Sequence, residues 1–155
     1  MARNPLNDFG VPPLPPTPAW RRVVAAMAER IMPRDFAAPT GPWSPGVKAQ
    51  PGEMLFIAGC VSVDGSGNVV APGDITAQTH QLMKNFQAVV EAAGMAMSDV
   101  VKITNYLVDV RDYTAMAAVR QQYLREPFPA STMVEVTGLL YRGLLVEIEG
   151  IAIAS

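Results

Sequence analysis

Residues 144–154 read LLVEIEGIAIA, and from Val146 onward they alternate with a period of two. Glu147 and Glu149 fall on the same side as Ile151 and Ile153, the spacing of a β-strand rather than a helix. Two carboxylates on an otherwise apolar strand face are costly to bury without partners. The face therefore holds either an acid/base group whose pKa is raised by burial or a pair of salt-bridged interface residues.

Working back from that strand, TMVEV (132–136) reads as another strand, entered through the proline turn of FPASTMVEV (128–136). Before it, Asp112–Arg125 predicts a helix that Pro127 closes, and VVKITNYLV (100–108) predicts a strand. Ile75–Ala93 predicts the longer helix, with apolar Ile75, Leu82, Phe86, Val89 and Val90, an Asp74 cap and a stop at Gly94. EMLFIAGCVSV (53–63) is a β run, and DGSGN (64–68) is a hairpin-closing turn. The order β-β-α-β-α-β-β implies an α+β fold, a mixed sheet with both helices on one face.

Eleven of the fourteen prolines lie within the first 51 residues, so the chain divides near there. Residues 1–40 read as an N-terminal extension and 41–155 as the folded domain. VPPLPPTP (11–18) is a stiff polyproline lead-in. Thr17 and Pro18 then open a short helix whose stripe is Trp20, Val23, Val24, Met27 and Ile31, ended by Pro33. Such a helix is marginal alone and is expected to dock on the body or on a neighbouring subunit.

The totals exclude several classes. With 155 residues, half of them apolar and 17% charged, the chain can bury a core. No apolar run is long enough to span a bilayer, and MARNPLNDFG lacks a signal-peptide core, so a cytoplasmic protein is expected. A net charge of −2 without a basic cluster speaks against nucleic acid as a partner. One histidine and one cysteine make no zinc or iron ligand set, and the usual nucleotide loops are absent, so no metal or cofactor is expected. His80 shares a helix face with Lys84, Gln87 and Glu91 and reads as a solvated residue. Cys60 has no second histidine to activate it and reads as a small buried residue.

Arg120 is the least expected residue of the second helix. Tyr113, Met116, Ala117, Tyr123 and Leu124 form an apolar stripe, and Arg120 falls at its centre. A guanidinium keeps its proton, so an anionic partner is expected, either a protein carboxylate such as Glu147 or Glu149, or a ligand.

GPWSPGV, MLFIAGCVSVD, GDITAQTHQLMKNFQAVVEAAG, SDVVKITNYLVDVRDY, FPASTMVEV and VEIEGIAI, in this order and spacing, resemble the Rid family (reactive intermediate deaminases). The resemblance implies a chorismate-mutase-like fold and a homotrimer, barrel-like at its centre, with sites in the clefts between subunits. It also implies cofactor-free hydrolysis of small reactive enamines and imines to ketoacids and ammonia. The family's pocket aromatic falls on Trp43 and its acid/base glutamate on Glu147. Its Ser-Gly-Gln-like segment falls on Ala58, Gly59 and Cys60, without the usual serine and glutamine.

The family's carboxylate-binding arginine falls on Ser131, with Thr132 and Met133 following it in the same stretch. The asparagine common on the second helix is Ala117, and the aromatic three residues later is Arg120. The loop GLLYRG (138–143) adds Tyr141 and Arg142. Arg120 and Arg142 are thus the two candidates to replace the missing charge. The expected function is a divergent deaminase or C–N lyase on a small, aromatic or dienoic carboxylate. The alternatives are a non-catalytic binding trimer, a catabolic enzyme acting on an aromatic amine or hydroxylamine and, given the acidic pI, more remotely an RNA-cleaving enzyme.

Overall fold

The computed structural model describes residues 28–34, 42–50 and 52–154. Its elements run β1 (Ala28–Ile31), β2 (Gly46–Ala49), β3 (Met54–Val61), α1 (Ile75–Ala92), β4 (Val100–Leu107), α2 (Tyr113–Arg120), β5 (Ala130–Glu135) and β6 (Val146–Ile153). Strands β3, β6, β4 and β5 form one sheet in that spatial order. The β3–β6 and β6–β4 pairs are antiparallel and β4–β5 is parallel, as a crossover through α2 demands. Both helices pack on one face, giving the mixed α+β arrangement expected from the element order.

Asp74 caps α1, its carboxylate accepting from the Ala77 amide at 3.0 Å, and Gly94 ends the helix at φ +73°. Between these ends Leu82, Met83, Phe86 and Val90 lie fully inside, against Ile103, Leu107, Met116, Val146 and Ile148. Each such side chain contributes about 1.5–3 kcal/mol by leaving water. Along β6 the even-numbered residues face the helices, whereas Glu147, Glu149, Ile151 and Ile153 are half-buried on the other face.

Three expectations need correction. The N-terminal helix was to run to Pro33, but Ala28–Ile31 is a strand paired antiparallel with β2, and Ile31 is exposed. The free edge of β2 offers hydrogen bonds that a marginal helix end lacks. The rest of that stripe, Trp20, Val23, Val24 and Met27, lies outside the described residues. The expected hairpin turn at 64–68 forms, with the Asp64 side chain accepting from the amides of Ser66 and Asn68, but the strand expected after it is reduced to a single bridge, Val63 to Val69. The second helix stops at Arg120 and continues only as turns to Tyr123.

Candidate active site

The helix-facing side of the β5 edge carries the first group of site residues. Ser44 bridges to Ala130, its amide donating to the Pro129 carbonyl at 3.1 Å. That link sets Trp43 beside the start of β5. Trp43, Ser131 and Met133 line a cavity of about 600 Å³ together with Val110, Arg111, Tyr113 and Thr114 from the entry to α2. Arg111 is paired with Asp109, whose carboxyl this contact holds down at about 2.

Arg120 lies beneath this cavity, 1% exposed. Its guanidinium donates to Asn105 Oδ1, to Ser131 Oγ at 3.3 Å and to the Pro42 carbonyl at 3.5 Å. The expected carboxylate partner is missing among the described residues. Neither Glu147 nor Glu149 reaches Arg120, because both project from the opposite face of the sheet. Burial pushes the Arg120 pKa down, opposed by Tyr113, yet a guanidinium stays charged at any working pH. Nor does Arg120 line the cavity directly, as a residue clamping a ligand carboxylate would.

Asn105 is the residue that sequence reasoning missed. It is fully buried on β4, and its amide group joins Arg120, Ser131 Oγ (3.0 Å) and the Thr132 carbonyl (2.7 Å). An asparagine inside the apolar strand VVKITNYLV was a usable signal, since asparagine is depleted from strand interiors.

The second group lies on the other face. The register between β3 and β6 slips between Ile57 and Cys60, a β-bulge that holds Ala58 and Gly59. A Cβ on residue 59 would lie 1.8 Å from Glu147 Oε1, so the glutamate lies against the glycine backbone. Burial, and then the charge of Glu149, raise the Glu147 pKa. Glu149 itself accepts from the Tyr106 hydroxyl at 3.0 Å. Cys60 is half-buried, with its thiol pKa raised by burial and by Glu147, so it stays protonated.

The structure brings Trp43, Ser131, Met133 and Arg120 together, and separately Gly59, Cys60 and Glu147. Among the described residues of one chain the two groups lie on opposite faces of the sheet. Thr132 is corrected to the Glu149 face, where its hydroxyl takes a hydrogen bond from Lys102 Nζ at 3.0 Å. Arg142 is exposed in its loop and is not among the residues lining the Trp43 cavity. His80 is corrected too. It is half-buried, with Nδ1 3.0 Å from the Tyr123 hydroxyl across the helix pair. Among the described residues, no group of histidine, cysteine and carboxylate side chains could hold a metal ion, and no helix is long and apolar enough to cross a membrane.

Residues 34–154 match the family model described as Endoribonuclease L-PSP. A RutC family protein of Pyrococcus horikoshii is 41% identical over 81% of this chain and 98% of its own. The 2-iminobutanoate/2-iminopropanoate deaminase of Salmonella typhimurium is 35% identical, covering 82% of this chain and 98% of that one. Among solved structures, a Rid family protein of unknown function from Yersinia pestis superposes with a TM-score of 0.72 at 28% identity, over 82% of this chain and 98% of that chain. The match spans the sheet, both helices and both groups of site residues, and the chain belongs to the Rid (endoribonuclease L-PSP) family.

Proposed function

We propose that this chain is a divergent deaminase that releases ammonia, or a related amine group, from a small unsaturated carboxylate without metal or cofactor. The observation that carries the reading is Glu147, a carboxyl group with a raised pKa lying against the Cβ-free backbone of Gly59 on an open sheet face. A carboxyl whose pKa is raised is the stronger base when ionised and still serves as an acid once it has taken up a proton. As carboxylate, Glu147 takes a proton from water as the oxygen adds to the imine carbon. As acid, it returns that proton to nitrogen to give a carbinolamine. It then takes the carbinolamine hydroxyl proton and delivers it to nitrogen as the C–N bond breaks, leaving a carbonyl and ammonia.

The Trp43 cavity then binds the rest of the substrate. Because the two groups lie on opposite faces of one sheet, a working site takes Glu147 and Gly59 from one copy and Trp43, Ser131 and Met133 from another. A homotrimer supplies that arrangement three times. The relatives named as iminobutanoate deaminases support the reaction class.

Ammonia release from 2-iminobutanoate, generated in place by an amino acid oxidase, tests the reading. Turnover that falls about a hundredfold or more in Glu147→Gln supports it, and equal turnover in that variant overturns it. The guanidinium on the cavity wall, Arg111, is already paired with Asp109, and this favours a second reading, ligand binding without turnover. Wild-type protein that releases no ammonia from any unsaturated amine would decide for that second reading.

A further inference from the structure

We infer that the Ser131 hydroxyl, backed by the buried Arg120 guanidinium, is the hydrogen-bond donor that holds an anionic oxygen of the ligand in the Trp43 cavity. The ligand class is a flat, unsaturated or aromatic carboxylate held through one oxygen. The inference takes the Trp43 cavity as the binding site of the function proposed above, and it holds whether or not turnover follows.

The direction of the Ser131 proton follows from its neighbours. The Thr132 carbonyl can only accept and the Arg120 guanidinium can only donate. The Asn105 amide lies between them, so its Nδ2 must face the carbonyl and its Oδ1 the guanidinium. With that orientation fixed, the second Nδ2 hydrogen goes to Ser131 Oγ at 3.0 Å. Arg120 donates to the same oxygen at 3.3 Å. Both acceptor positions of the hydroxyl are then used, and its own hydrogen points away from both donors. Ser131 lines the cavity, so that hydrogen is presented to whatever fills it.

A guanidinium behind the hydroxyl makes this donor prefer negative charge, and its burial keeps the interaction unscreened. Acidic groups also stand near the rim, but they are already engaged or open to water. Asp109 is bound to Arg111, a cation that lines the cavity but is exposed and held by that pairing. Glu135 accepts from the Val110 amide, and Asp112 lies at the helix entry. Trp43, Tyr113, Val110 and Met133 give the cavity flat and apolar walls, which suit a conjugated ligand body. In this arrangement Arg120 is a positioning residue that acts through Ser131 without touching the ligand.

Binding of benzoate and of its neutral counterpart benzamide, followed by ligand-observed NMR on the full chain, tests the inference without turnover. Wild type is expected to bind benzoate more tightly than benzamide. Ser131→Ala is expected to weaken benzoate about tenfold or more, and Ser131→Thr, which keeps the hydroxyl, to stay within about threefold of wild type. Arg120→Met, compared per folded molecule, is expected to abolish the preference for benzoate over benzamide. A purely structural role would lower stability and leave that ratio unchanged. Should Arg120→Met fail to fold, the Ser131 pair alone decides. Wild type that binds no benzoate at millimolar concentration or shows no preference for it, or Ser131→Ala that binds as well as wild type, overturns the inference. Loss of ammonia release in Glu147→Gln with benzoate binding intact separates this result from the proposed reaction.

Discussion

The Glu147 carboxylate occupies the space that any side chain at residue 59 would need, with Oε1 1.8 Å from the position of a Cβ there. The contact ties the strand that carries the acid to the bulge that frees nearby backbone groups. Gly59→Ala must therefore rotate Glu147 out of place or shift the bulge. Ammonia release is expected to fall by about two orders of magnitude, with the melting temperature lowered by only a few degrees. A Gly59→Ala variant as active as wild type would show that the seating of Glu147 is irrelevant.

The raised pKa of Glu147 has a consequence for stability. The folded protein holds this proton more tightly than the unfolded chain, so stability is greatest below the unfolded carboxylate pKa. It declines as pH rises through the folded value. Glu147→Gln removes that decline. At pH 7 to 8 the variant is expected to melt above wild type by a small margin, because the group is partly exposed and screened. Near pH 4 the two melt together. Thermal scans across pH check this, and a variant that melts lower at pH 8 would refute it.

Asn105 holds three partners in place from a fully buried position. Asn105→Ala leaves the guanidinium, the Ser131 hydroxyl and the Thr132 carbonyl each short of a bond. Each unsatisfied buried group costs about 1–3 kcal/mol, so a loss of about 3 kcal/mol or more is expected in urea denaturation at fixed protein concentration. A loss below about 1 kcal/mol would mean that water replaces the amide.

The parts that were legible beforehand share a feature, which is that their physics is local. The alternation along β6, the Asp74 cap and the Gly94 stop were all readable within a dozen residues, and so was the position of Arg120 in an apolar stripe. Its partners were not readable. Asn105 and Ser131 reach Arg120 only because β4 and β5 pair in parallel with Ile103 opposite Ser131 and Asn105 opposite Met133. That register is a tertiary fact. The placement of Thr132 on the far face follows from the same alternation, and it was lost by treating three consecutive strand residues as one contact. The strand at Ala28–Ile31 was hidden because its partner, β2, lies fifteen residues on.

The open sheet face bears on the proposed assembly. Phe56 is 71% exposed and Met54 50%, on the edge strand that pairs with Ile151 and Ile153. Light scattering is expected to give about 50 kDa, three copies of the 16.6-kDa chain. Phe56→Asp is expected to shift the mass toward the monomer, because burying a carboxylate there costs more than the contact returns. A monomeric wild type at micromolar concentration would remove the shared site along with the trimer.

The last prediction concerns the exchange between positions 120 and 131. The sequence resemblance implies that the family's arginine falls on Ser131 and its aromatic on Arg120, whose guanidinium reaches the serine. The cation has kept its neighbourhood but sits behind the cavity instead of in it. Wild type is therefore expected to be slow on short enamines such as 2-aminoacrylate, because a single hydroxyl holds a carboxylate more weakly than a bidentate guanidinium would. Ser131→Arg alone would set a second guanidinium against the first, 1% exposed and without a carboxylate among the described residues. That variant is expected to lose stability and gain no activity. Combined with Arg120→Tyr, the same change meets an uncharged neighbour. The double variant is expected to fold better than Ser131→Arg and to process 2-aminoacrylate at least about tenfold faster than wild type. Stabilities and rates of the four proteins form a closed cycle, and additive effects would mean that the two positions do not act on one another. Ser131→Arg that folds well and gains activity alone would show that Arg120 plays no part in the cavity's charge.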